Sequence, residues 1–221
     1  VKSKKYAYVG IAAAACIAAV IVILTQFNML QTGQISSPPA GISAYILELS
    51  YEGVNSDLRN TLIHQQINMS KPVKFSTAAD LNRYCNFLSN QTKQAMIEYC
   101  TSTELRDAHG NFLGNINMIG SDLAPVLVIT ALQSDPLFSN YNDIKTVFAD
   151  VVNETICQCW DKEKPGGYST LSAMMDAQRD FHLNGNQPNN TTQGIPLGGV
   201  HFEIEVTTND SGYVWKLLVA K

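Results

Sequence analysis

Two cysteines one residue apart, Cys157-Gln158-Cys159, are followed at once by Trp160. Paired thiolates at such spacing can grip copper or zinc if a further donor, His182 or Met174, closes the site. Recognisable zinc sites put two to four residues between their cysteines, and dithiol redox motifs put two. With one residue between them, these cysteines are expected to serve as structural disulfide partners. A second set is His201, Glu203 and Glu205. Alternate residues of a strand share a face, so an imidazole and two carboxylates would line up, a donor set that suits a divalent cation. The plainer expectation is the solvent face of a terminal hairpin, with Glu203 or Glu205 opposite Lys216. A third set, Asp176, Asp180 and His182, places two carboxylates one helical turn apart with a histidine at the helix end, where acid–base or metal chemistry is conceivable. A solvated helix face ending in a favourable C-terminal histidine is the simpler expectation. The metal candidates are thus His201, Glu203, Glu205 and His182. The chain has no G-x-S-x-G elbow, phosphate loop, H-E-x-x-H, dinucleotide fingerprint or calcium loop. No catalytic set and no cofactor is expected.

The elements that must position these groups follow from periodicity. Ile42 to Tyr51 alternates with both faces apolar and predicts an interior strand. Asn55 to Asn68 predicts a short helix. Thr77 to Cys100 carries Leu81, Tyr84, Cys85, Leu88, Ala95, Met96 and Tyr99 at spacings of three and four, predicting one long helix that Thr77 caps. Glu104 to Ile119 reads as a hairpin turning at Asp107–Asn111, and Pro125 to Leu132 as a buried strand. Asp143 to Trp160 predicts an amphipathic helix and Ser169 to Phe181 another, with Asn184 to Gly199 an exposed loop. Val200–Thr207 and Tyr213–Val219 make a closing hairpin. That order suits an α+β domain, a mostly antiparallel sheet of about five or six strands with three or four helices.

Four cysteines, Cys85, Cys100, Cys157 and Cys159, fall in this domain, an even set that reads as two disulfides in an oxidising compartment. If the helix over Thr77–Cys100 is unbroken, Cys85 and Cys100 stand about 22 Å apart, out of reach of each other, and must pair with Cys157 and Cys159. Six Asn-x-Ser/Thr acceptors, Asn68, Asn90, Asn153, Asn189, Asn190 and Asn209, are candidate glycosylation sites in an exported protein.

The compartment follows from the N-terminal stretch. No charged residue occurs from Tyr6 to Leu47, and Lys2, Lys4 and Lys5 precede it. The apolar run over 7–24 spans about 27 Å as a helix, close to the hydrocarbon thickness of a bilayer and longer than the core of a cleavable signal. A single transmembrane anchor is therefore expected, with its N-terminus cytoplasmic because lysines stay inside. Residues 1–30 form the anchor region, 31–41 a Pro/Ser/Gly tether, and 42–221 the extracytoplasmic domain. All 19 acidic residues lie beyond residue 47, against 12 of the 15 basic ones, a net charge of −7 there. Such a balance argues against nucleic acid as a partner.

The run Leu105-Arg106-Asp107-Ala108-His109-Gly110-Asn111 resembles the D-x-x-G hairpin of extracytoplasmic PAS/Cache-type sensors. Those domains leave the membrane on a long helix. Here Pro38-Pro39 stands in its place, and no site residue is carried over. The functional expectation is a membrane-anchored, extracytoplasmic binding protein that meets lipid through residues 7–24 and other membrane or surface proteins through its domain. A membrane-tethered metal-binding ectoenzyme or a sensor-like ligand-binding domain is the alternative.

Overall fold

Nine antiparallel strands make one sheet in the computed structural model, which describes residues 45–88, 90–185 and 187–221. The expected anchor, the tether and the first residues of the Ile42–Tyr51 strand lie outside these. Among the described residues no helix is long and apolar enough to cross a membrane.

In chain order the elements are α1 (Tyr51–His64), β1 (Asn68–Met69), β2 (Val73–Phe75), α2 (Ala78–Tyr84), α3 (Gln91–Gln94), β3 (Tyr99–Arg106), β4 (Phe112–Gly120) and β5 (Pro125–Ser134). There follow α4 (Tyr141–Thr155), α5 (Trp160–Glu163), α6 (Leu171–Asn184), β6 (Asn189–Thr191), β7 (Ile195–Leu197), β8 (Val200–Asn209) and β9 (Gly212–Ala220). The sheet order is β1-β3-β4-β5-β9-β8-β6, with β2 also on β3 and β7 also on β8. Four of the five long strands, β4, β5, β8 and β9, are those the hydrophobic pattern marks, while of β3 it marks only Glu104–Arg106; the four short strands lengthen the sheet beyond the expected five or six.

One sheet face packs on α1, α4 and α6. Ile116, Met118, Val128, Leu132, Trp215, Leu217, Phe202, Ile204 and Val206 meet Leu58, Leu62, Val147, Phe148, Val151, Met174 and Met175 in the main core. Each fully buried side chain of this size contributes roughly 1.5–3 kcal/mol. The helices start where the sequence supplies caps. Ser50 Oγ accepts from the Gly53 amide at 3.0 Å, and Thr170 Oγ1 from Ala173 at 3.0 Å. A buried polar contact, Thr103 Oγ1 donating to Asn55 Oδ1 at 2.8 Å, fixes α1 over β3.

The opposite face is partly covered by the stretch from Phe75 to Ile97, which builds a smaller cluster of Leu81, Cys85, Ile97, Cys100, Ile119, Leu127, Ile129 and Leu218. Here the structure corrects the expected long helix. Thr77 does cap it, its Oγ1 accepting from Asp80 at 3.2 Å, but α2 stops at Tyr84. Residues 85–88 are irregular, and Asn90 Oδ1 caps the short α3 by accepting from Lys93 at 3.1 Å. Asparagine favours caps over helix interiors because its amide competes for backbone groups. Tyr99 then opens β3 rather than ending a helix. With the helix broken, Cys85 and Cys100 come to 6.4 Å between Cα atoms and bond to each other. Cys157 bonds to Cys159 across 5.2 Å, so the expected links between the two pairs do not form. Gln94 braces the break, donating to Cys85 O at 3.2 Å and accepting from the Leu88 amide at 3.1 Å.

Three other boundaries move. The expected helix over Asp143–Trp160 stops at Thr155, and Trp160 opens the separate α5. Residues 45–50 are not a strand; Leu47 is buried, its amide donating to Pro125 O at 2.8 Å, and Tyr51 already opens α1. The expected loop over Asn184–Gly199 contains β6 and β7, both laid against β8.

Candidate functional site

The corner between α4 and α5 is where donor atoms converge. Ile156 ends α4, and Cys159 stands immediately before α5. Residues on either side are fixed in the core: Thr155 is buried, with Oγ1 donating to Val151 O at 2.6 Å. Trp160 donates its indole N–H to Tyr168 O at 3.1 Å, and its ring centroid lies 5.7 Å from that of Phe202. Between these anchors Cys157 and Cys159 are half-buried and Gln158 is exposed. Glu163, at the end of α5, brings a carboxylate oxygen to within 4.8 Å of both sulfurs. Among the described residues no other group of three or more His, Cys, Asp or Glu approaches this closely.

The β7–β8 hairpin closes the corner. Its turn is Gly198-Gly199, with φ of 57° and 83°, the left-handed pair that a two-residue turn of this hand requires. The Gly198 amide donates to Glu163 Oε2 at 3.1 Å. A Cβ on Gly198 would sit 2.9 Å from the Cys157 sulfur, so the turn can lie on that sulfur only with glycine there. Two segments distant in sequence, the Cys157–Glu163 corner and the Gly198-Gly199 turn, thus meet at one half-exposed disulfide. The expected donors His182 and Met174 do not take part: His182 lies elsewhere on α6, and Met174 is in the main core. No signal in the sequence marks Glu163, four residues past Cys159, or Gly198, which reaches the cysteines only through the fold.

His201, Glu203 and Glu205 do share one face of β8, as their spacing requires. They pair with Ala220, Leu218 and Lys216 of β9. That face is not solvated, however: His201 is exposed, Glu203 is 7 % exposed and Glu205 is 0 %. Lys216 Nζ reaches Glu205 Oε1 at 3.3 Å, and Thr207 Oγ1 donates to the same oxygen at 2.8 Å, leaving Oε2 without a partner. Burial, and next the Glu205 charge, push the Glu203 carboxyl up to about 7. Donor atoms of the three do not close to ligand distance.

His182 sits near the far end of β8 from His201, its Nε2 2.8 Å from Thr208 Oγ1. Thr208 is seven steps along the strand from His201, about 23 Å, so His182 cannot join His201. Burial holds the imidazole below its usual pKa, and Nδ1 has no partner. A shallow recess of about 340 Å³ opens there, lined by His182, Leu183, Gln187, Pro188, Thr208 and Tyr213. Asp176 is half-buried and Asp180 exposed, in keeping with the expected solvated face, and both are ion-paired. Asp176 takes Lys145 of α4 at 2.7 Å and Arg179 at 3.4 Å, while Asp180 takes Arg179 at 2.8 Å.

Of the glycosylation candidates, Asn68, Asn153 and Asn209 are exposed and Asn90 and Asn189 half-buried. Asn190 is buried, its amide donating to Gln178 Oε1 at 2.7 Å.

No protein-family model matches the chain, and no curated protein or solved structure is found to be similar to it.

Proposed function

We propose that this chain is a single-pass, membrane-anchored binding protein whose disulfide-bonded α+β domain faces the extracytoplasmic side and docks another membrane or surface protein. One observation carries the reading: a fully buried disulfide, Cys85–Cys100, in a domain preceded by a charge-free apolar run with three lysines before it. Disulfides of that kind persist outside the reducing cytosol. The lysines orient the anchor so that the domain lies outside. Gly10 and the alanines Ala12–Ala15 would let a second membrane helix approach closely. The acidic balance of the domain turns it away from anionic lipid and nucleic acid and toward protein partners.

Native intact mass of the protein drawn gently from its own membrane tests this. A mass well above the 24.2 kDa of the chain, resolving into other polypeptides, is the expected result. A lone chain in every mild detergent would remove the docking part of the proposal.

A second reading, a tethered metalloprotein, draws on the approach of Cys157, Cys159 and Glu163. It requires the disulfide to be reduced first. Stoichiometric zinc or copper retained by reduced protein after dialysis would favour it.

A further inference from the structure

We propose that Cys157–Cys159 is an exchangeable disulfide that oxidises thiols, opening and closing while the rest of the fold stays intact. This goes beyond the docking role and does not depend on it.

The two disulfides of the chain differ in what they hold and how they are covered. Cys85–Cys100 joins the end of α2 to the start of β3 across 15 residues, and both partners are 0 % exposed within the second core cluster. Cys157–Cys159 spans a sequence separation of 2 and links no two elements. A ring that small removes little freedom from the unfolded chain beyond its own residues, so the fold does not depend on it. Both its sulfurs belong to half-buried residues with exposed Gln158 between them, and access is the first condition for exchange.

The corner is also built to keep the sulfurs together once the bond opens. Thr155 and Trp160 stay fixed in the core on either side. A freed thiolate therefore remains beside its partner and attacks a mixed disulfide at high effective concentration. The Gly198-Gly199 turn, held by the Gly198 amide on Glu163, covers the Cys157 sulfur. Cys159 is then the sulfur an incoming thiolate reaches, and Cys157 is the leaving group.

The step balances with thiols as the only co-reactant. A thiolate R–S⁻ attacks Cys159 Sγ; the Sγ–Sγ bond breaks, an R–S–Sγ bond forms, and Cys157 departs as thiolate. A second thiolate attacks the R sulfur, forms R–S–S–R′ and releases Cys159. Two thiols lose two electrons and two protons, and Cys157 and Cys159 gain them. The reverse exchange with a disulfide restores the bond. The shared chemistry of the co-reactant is a thiolate, from either a small thiol or a pair of protein cysteines.

The test uses the full chain in mild detergent, titrated separately with reduced glutathione and with a synthetic peptide bearing two cysteines. Alkylation and peptide mass mapping then read each cysteine. The expected result is that Cys157 and Cys159 become alkylated at thiol concentrations at least about tenfold lower than Cys85 and Cys100, with the far-UV spectrum unchanged. Preference for glutathione identifies a small-thiol reaction, and preference for the peptide a protein dithiol. Opening of both disulfides together, or of Cys157–Cys159 only as the spectrum collapses, overturns the proposal. Two single variants check the direction of attack. Cys157→Ser, which leaves Cys159 free, is expected to form a mixed disulfide with oxidised glutathione several-fold faster than Cys159→Ser; equal rates would overturn the assignment of Cys159 as the attacked sulfur.

Discussion

Buried carboxylates set the pH response of the domain. Glu203 is pushed up to about 7 by burial and by Glu205, and Asp150 to about 6 by burial and by Glu154. Raised pKa values mean that the folded state binds more protons than the unfolded one. Their favourable contribution is complete below about pH 4 and is lost as pH rises through about 6 for Asp150 and about 7 for Glu203. Asp107 and Asp135 act oppositely. Hydrogen bonds from Asn111 and from Ser139 hold these exposed carboxylates below their usual range, and that benefit fades as pH falls below about 4. Stability is therefore expected to peak between about pH 4 and 6. Denaturant melts at pH 5.5 and 8 should show this, and Glu203→Gln should flatten the upper part by about 1–2 kcal/mol. A wild-type profile still rising toward pH 8 would contradict it. Among the described residues, Lys216 is the cation that pairs with fully buried Glu205. Lys216→Met is expected to cost about 2–4 kcal/mol, since it removes the partner of a buried carboxylate; a loss below about 0.5 kcal/mol in a urea melt would contradict this.

At the scale of elements, the second core cluster depends on the Cys85–Cys100 bond. Replacing both cysteines by alanine is expected to lower stability by about 3 kcal/mol, the range for a loop of 15 residues, whereas replacing Cys157 and Cys159 by serine should cost about 1 kcal/mol or less. Equal losses in thermal or urea unfolding would contradict the division of roles between the two bonds. The main core was legible because its helices and strands alternate or repeat cleanly. Ile144, Val147, Phe148 and Val151 trace α4, and Phe202, Ile204 and Val206 trace β8. The Asp107–Asn111 turn was legible through its chemistry, and Asp107 Oδ1 accepts from the His109 and Asn111 amides at 2.8 Å each. The broken helix was not. Leu81, Cys85 and Leu88 keep a helical stripe straight through the break, and only Asn86 and Asn90 hint at the stop. The misplaced break in turn hid the disulfide pairing. The burial of Glu203 and Glu205 was also illegible, because the period of 2 gives a residue's face but not what lies over that face. Glu163 and Gly198, 35 residues apart, meet only through the tertiary fold.

For the whole molecule, the account joins an apolar N-terminal run to a domain that a buried disulfide fastens. If small residues in the run pack on a partner helix, Gly10→Leu with Ala14→Leu should shift the native complex toward the free chain without altering the unfolding of the domain. An unchanged complex would move the contact to the domain surface. Topology is the central claim, and protease treatment of intact cells or spheroplasts addresses it most directly, with the chain followed by an antibody to its C-terminal hairpin. The account predicts that the protein stays in the membrane pellet after an alkaline wash and that added protease removes the domain while a cytoplasmic marker survives. A domain protected until the cells are lysed, or a chain recovered in the soluble fraction, would contradict it.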